Sequence, residues 1–163
     1  LYFENHPLFK YQLNREIHRA IANQHKRDLK LCFRLDGTSD LGLGIKAARA
    51  HPTAQFYDYT KNPTTMRKFA KGQLPLNYHL TFSHSETNRE DCRYALEHGV
   101  NVAVPFVGDW DGASYPKTFL GFPTISGDTH DLRFLDPSPA VVALKAKGYL
   151  SKDYSGFAVR PDA

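Results

Sequence analysis

Apolar positions in this chain follow two spacings that alternate. Phe9, Leu13, Ile17, Ala20 and Ile21 recur at helical spacing as far as Arg27, behind Asn5 as an N-cap and Pro7 in the first turn, which predicts a helix with one buried stripe. Leu29 to Leu35 is then a short apolar run, read as a buried strand feeding the polar loop Asp36-Gly37-Thr38-Ser39-Asp40. An alanine-rich helix over Leu41 to Ala50 ends at His51-Pro52. The second strand, Gln55 to Tyr59, closes in Asp58-Tyr59-Thr60-Lys61, and Asn62 with Pro63 opens a helix through Met66, Phe69 and Ala70 that Gly72 ends. Asn77 to Phe82 is a third strand, followed by Ser83-His84-Ser85-Glu86. Thr87 with Glu90 then predicts a capping box for a helix through Cys92, Ala95 and Leu96 to Gly99. Val100 to Phe106 is a fourth strand.

Alternation of this kind predicts right-handed βαβ crossovers and a parallel sheet, and continuously apolar strands fit burial on both faces. The expected fold class is α/β, with consecutive βα units forming a partial or distorted parallel, TIM-like barrel in preference to a flat doubly wound sheet, as a single domain over residues 1–163. Past Phe106 the rhythm breaks. Val107 to Phe122 reads as a long loop or a short hairpin around Trp110-Asp111-Gly112, two short strands follow near Pro123 to Ser126 and Ala140 to Lys147, and the stretch after Tyr149 reads as irregular.

Composition narrows the class. With 41% hydrophobic residues in 163, the chain has material for a real core, which excludes a disordered tail. Charges interrupt every apolar run well short of the roughly 18 residues needed to span a bilayer, so no membrane association is expected. The two cysteines, Cys32 and Cys92, lie far apart with no metal-ligand spacing, which points to a reducing cytoplasm. A net charge of +4 allows attraction to phosphate or nucleic acid without requiring it. Because Leu1 opens the chain and its single methionine is Met66, an upstream segment is expected.

In parallel α/β folds ligands bind at the carboxyl ends of strands, where loops converge and helix N-termini present free N–H groups. Applied here, the first strand delivers Arg34, Asp36, Thr38, Ser39 and Asp40, and the second Asp58, Tyr59, Thr60 and Lys61. The third delivers His79, Thr81, Ser83, His84 and Glu86, with the first three on one face by strand alternation. Later come Asp128, His130, Asp131 and Arg133, then Lys145 and Lys147. Some of these residues serve equally well as helix caps, but two aspartates and two hydroxyls after the first strand exceed the needs of one cap. Lys61, Arg34, Lys145 and Lys147 suit an anion; the competing reading places Lys145 and Lys147 on an edge strand as solvated protection. Imidazoles at His79, His84 and His130, with nearby carboxylates, contain the atoms for a zinc or iron site, although their spacing matches no known signature. No nucleophile elbow, P-loop or dinucleotide fingerprint is present.

The ordered segments RLDGTSDL, FYDYTK, NYHLTFSHSE, NVAVPF, GDTHDLRFLDP and VVALKAKG resemble the gene-product-88-like proteins of phages and plasmids, over most of the chain from Leu1 through Val159. The resemblance implies a mobile-element protein whose family has no settled activity. Members usually carry a further N-terminal region with closely spaced cysteines, loosely similar to the cluster-binding segment of radical S-adenosylmethionine enzymes. That analogy would put Asp36, Thr38, Ser39 and Asp40 on the cofactor side of a barrel, with Lys61, His79, Ser83 and Glu86 nearer a substrate. An iron–sulfur cluster needs three thiolates, and this chain alone has two cysteines, so none is expected from it and any other cofactor is unknown.

The leading expectation is therefore an enzyme-like domain that binds a nucleotide or other phosphate-bearing ligand at its strand ends. Asp36, Asp40, His79, His84, Glu86 and His130 are the candidate acid–base groups. Arg34, Thr38, Ser39, Asp58, Lys61, Thr81, Ser83, Asp128, Asp131 and Lys145 are the candidate ligand contacts. The alternative is a non-catalytic accessory factor that binds nucleic acid or a host protein, with the aromatic stretch Trp110 to Phe122 as its contact surface.

Overall fold

Three of the four predicted early strands form at nearly their predicted positions, each followed or preceded by its helix. In the computed structural model, residues 2–24, 26, 30–108 and 115–160 are described. They form α1 (His6–Gln24), β1 (Cys32–Phe33), α2 (Leu43–Ala50), β2 (Gln55–Thr60), α3 (Pro63–Ala70), β3 (Tyr78–Ser83), α4 (Arg89–Glu97), β4 (Val102–Phe106), β5 (Thr118–Phe119), β6 (Phe122–Ser126) and β7 (Val141–Lys145). Single 3-10 turns occur at Arg133–Leu135 and Gly148–Lys152.

The sheet runs β1-β2-β3-β4-β7-β6-β5, with every ladder parallel except β5 against β6. The first four strands step across the sheet in one direction, so right-handed crossovers put α2, α3 and α4 on the same face. The core agrees: Ala47, Ala48, Met66, Cys92, Ala95 and Leu96 from the helices pack with Phe56, Leu80, Phe82, Val102, Val104, Val141 and Ala143 from the strands. Phe56, Leu80 and Phe82 are fully buried, each contributing about 1.5–3 kcal/mol of apolar transfer. Alternation turns Tyr57, Tyr59, His79, Thr81, Ser83, Ala103, Pro105, Val142 and Leu144 to the other face, where the Arg133–Leu135 turn covers part of them and Phe134 meets the Tyr57 ring edge-on at 5.5 Å.

The α/β expectation holds. A closed barrel does not form among the described residues, since β1 and β5 are sheet edges and no ladder joins them. Two expectations need correcting. β7 lies inside the sheet between β4 and β6, so Lys145 does not protect an edge. The Thr87–Glu90 capping box is replaced by Asn88, which precedes α4 and accepts from the Ser85 amide at 2.7 Å while donating to the Ser83 carbonyl at 2.9 Å. At α3 the predicted cap is present, with Asn62 accepting from the amides of Thr64 and Thr65. The first strand pairs only at Cys32 and Phe33, and the proposed hairpin at Trp110-Asp111-Gly112 lies outside the described residues.

Beyond β7 the chain returns to the sheet. The Val159 amide donates to the Pro105 carbonyl and the Val107 amide to the Val159 carbonyl, both at 2.8 Å, so Val159 adds one parallel bridge to β4. That bridge lies past the point where β3 and β4 stop pairing, at Ser83 and Ala103.

Candidate functional site

A cleft of about 730 Å³ lies over the carboxyl ends of β1, β2, β3, β4 and β7. Its floor belongs to the face opposite α2, α3 and α4, through Tyr59, Ser83, Ala103, Pro105 and Leu144, while Leu150 and Phe157 wall it from the returning segment. Ten of the predicted residues line it: Arg34, Asp36, Thr38, Ser39, Asp40, Lys61, Ser83, His84, Asp131 and Lys145. One geometric rule thus brings together, at one cleft, residues up to 111 positions apart (34 to 145).

The aspartates among them mostly build the cleft wall. Asp36 is 4% exposed, and its carboxylate accepts from the Ser39 hydroxyl at 2.8 Å, the Leu41 amide at 3.1 Å and the Leu43 amide at 2.7 Å. Leu43 is the first residue of α2, so Asp36 occupies the N–H groups that an anion would otherwise use there. Beneath it, Asp58 is 1% exposed and accepts from the Leu35 and Asp36 amides through Oδ1, at 3.1 and 2.9 Å. Burial pushes the Asp58 carboxyl up to about 6, opposed by those two amides and assisted by the neighbouring Asp36 charge. Its Oδ2 faces Gly44, where a Cβ would come within 1.9 Å of that oxygen and 2.9 Å of the Tyr78 ring, so α2 approaches β2 this closely only because residue 44 is glycine. Asp40 closes the loop against the next strand, accepting from the Thr60 hydroxyl at 2.5 Å and the Lys61 amide at 3.3 Å.

With Asp36, Asp40 and Asp58 so engaged, the cations stand out. The Arg34 guanidinium lies 4.5 Å above the Tyr59 ring and the Lys61 ammonium 4.6 Å above the Phe157 ring. Neither is paired with a carboxylate among the described residues. His84 lines the same cleft; it is buried, and its Nδ1 lies 3.1 Å from the Phe157 carbonyl. A carbonyl only accepts, so this contact fixes the proton on Nδ1 and leaves Nε2 as an acceptor. Burial lowers the His84 pKa, and the Arg89 and Lys61 charges add to this while the carbonyl and Glu86 oppose it.

The other predicted residues lie elsewhere. His79 occupies the amino-terminal half of β3, beside a separate 290 Å³ pocket with Phe69, Leu74 and Phe134, and burial with the Arg133 charge lowers its pKa to about 4. Thr81 is buried between the two cavities with its hydroxyl unpaired. Glu86 lines a third pocket of 310 Å³ with Arg89 and Arg160, which shares His84 with the main cleft. Asp128 holds β7 to its neighbours, accepting from the Tyr115 hydroxyl, the Lys145 amide at 2.9 Å and the Lys147 ammonium at 3.1 Å. His130 lies beside Arg133 and Asp136, and Arg133, read from sequence as a strand-end group, is entirely buried.

These placements correct the metal expectation. His79, His84 and His130 sit in three different environments, and among the described residues no three His, Cys, Asp or Glu side chains are arranged to hold an ion. Cys32 and Cys92 are free thiols whose pKa values burial raises, which disfavours the thiolate form. Sequence reasoning placed Tyr59 at the end of the second strand without assigning it a contact and gave no place to Phe157, although the two cations rest on these rings. Tyr59 shares a strand face with Tyr57 and was detectable by alternation, whereas Phe157 lies in an aperiodic segment that carried no signal.

Among the described residues no helix is long and apolar enough to cross a membrane. Residues 1–161 match the family described as Gene product 88, and the chain belongs to that family. No curated protein and no solved structure matches. The likeness to radical S-adenosylmethionine enzymes finds no support in these comparisons.

Proposed function

We propose that this member of the Gene product 88 family is a mobile-element protein that binds a nucleotide or other phosphate-bearing ligand in the strand-end cleft. One observation carries the reading: two cations on adjacent strand ends, Arg34 and Lys61, are held on aromatic rings at the cleft and form no ion pair with a carboxylate among the described residues. A charge fixed in this way loses little side-chain entropy on meeting an anion, and guanidinium with ammonium suits phosphate oxygens. Because the first N–H groups of α2 and α3 are taken by Asp36 and Asn62, the anion rests on side chains. The apolar floor at Ala103, Pro105 and Leu144 offers a surface for the rest of the molecule.

Calorimetric titration with AMP, ATP and inorganic phosphate tests this. Binding is expected to weaken at least tenfold when Arg34 and Lys61 are both replaced by alanine, with the melting temperature of the free protein unchanged because both residues are exposed. Absence of binding to all three at millimolar concentration, or equal binding by the double variant, overturns the reading. Tight binding to DNA or RNA alone, falling steeply with salt, would instead support the accessory-factor alternative.

A further inference from the structure

The cleft presents acceptors as well as cations. Asp131 lines it with a carboxylate that makes no hydrogen bond or ion pair among the described residues, and the polar atom left to His84, once Nδ1 has met the Phe157 carbonyl, is the acceptor Nε2. A bare phosphate near neutral pH offers oxygens to Arg34 and Lys61 but little to donate to these two groups. Burying unpaired acceptors against a ligand costs affinity, so the occupant that satisfies the whole cleft carries hydroxyl donors beside its anion.

We infer that the ligand is a phosphomonoester with free hydroxyls close to the phosphate, as in a ribonucleotide or a sugar phosphate, its phosphate on Arg34 and Lys61 and its hydroxyls donating to Asp131 and His84 Nε2. This rests on the phosphate reading above and narrows it. The order of the strands supports the arrangement: the cations lie over β1 and β2, His84 follows β3, and the apolar floor belongs to β4 and β7. A sugar hydroxyl therefore falls between the anion and any apolar body, in the order in which ribose joins phosphate to base.

Affinities for AMP, 2′,3′-dideoxy-AMP, ribose 5-phosphate and inorganic phosphate, measured by calorimetry at pH 7.5, provide the test. AMP is expected to bind at least tenfold more tightly than its dideoxy analogue. A preference for AMP over ribose 5-phosphate identifies a nucleotide as the source of this chemistry, and equal affinities a sugar phosphate. His84→Asn retains a donor for the Phe157 carbonyl while removing the Nε2 acceptor. It should weaken AMP binding several-fold and leave dideoxy-AMP unaffected, a pattern that simple loss of structure does not produce. Equal binding of AMP and dideoxy-AMP overturns the hydroxyl inference and leaves the phosphate reading standing. Failure of all four ligands to bind removes both.

Discussion

The two acidic loops at the rim of the cleft spend their carboxylates differently. Asp36 in the loop after β1, and Asp58 beneath it on β2, are buried and each accepts from backbone amides, so the carboxylates are part of the fold of that wall. In the loop after β6, Asp128 is exposed and accepts from a tyrosine hydroxyl, a lysine ammonium and one amide, while the Asp131 carboxylate accepts from nothing among the described residues. Buried backbone amides must find acceptors, so carboxylates near them are consumed before any ligand arrives. The groups left to recognise a ligand are those the fold has not used.

This contrast can be broken most severely at Asp36. Asp36→Ala strands the Leu41 and Leu43 amides and is expected to cost about 4 kcal/mol, lowering the melting temperature by roughly 8–16 °C. A loss below about 1 kcal/mol in urea denaturation would show that the wall does not depend on this carboxylate. Gly44→Ala drives a methyl group into Asp58 Oδ2 and the Tyr78 ring, both packed, for about 3 kcal/mol by the same measurement. If this variant keeps full stability, α2 does not approach β2 as closely as described.

A third prediction uses pH. The Asp58 carboxyl titrates at about 6 in the folded protein, above the roughly 3.9 of an unfolded aspartate, so the native state holds the proton more tightly. Ionised Asp58 therefore costs stability at pH 8, and that cost is removed as pH falls through about 6 toward 4. Asp58→Asn keeps a carbonyl for the Leu35 and Asp36 amides and has no such titration. Wild type should gain about 2–3 kcal/mol on the variant between pH 8 and pH 4; a gap independent of pH would mean that Asp58 is not buried as a charge. The smallest effect belongs to the other loop, where Asp128→Ala should cost about 1 kcal/mol because its partners can turn to water. A loss equal to that of Asp36→Ala would erase the distinction between the loops.

Where a carboxylate goes could not be read from residue order. Sequence pattern found β2, β3 and β4 because each is an apolar run bounded by polar residues, and it found α3 because Asn62-Pro63 is a cap with a mechanism. It overextended β1, an edge strand that pairs with β2 at two residues, because an apolar run reports burial and not pairing. At the site, strand alternation correctly put His79, Thr81 and Ser83 on one face, but they lie at different heights along β3, and only Ser83 reaches the cleft. The 3-10 turn that buries Arg133 is too short to have a period, so this residue read as one more polar group at a strand end.

The single bridge made by Val159 has a kinetic meaning. The segment around it touches the cleft through the Phe157 ring on Lys61 and the Phe157 carbonyl on His84, so it can dock only after β2, β3 and β4 have aligned their ends. One residue paired to a sheet is a weak hold compared with a full ladder, and segments held in this way open without global unfolding. The roof of the cleft is thus the last part to assemble and the first to release, and slowed hydrogen exchange at the Val107 and Val159 amides would register an occupied cleft while the sheet beneath stays unchanged.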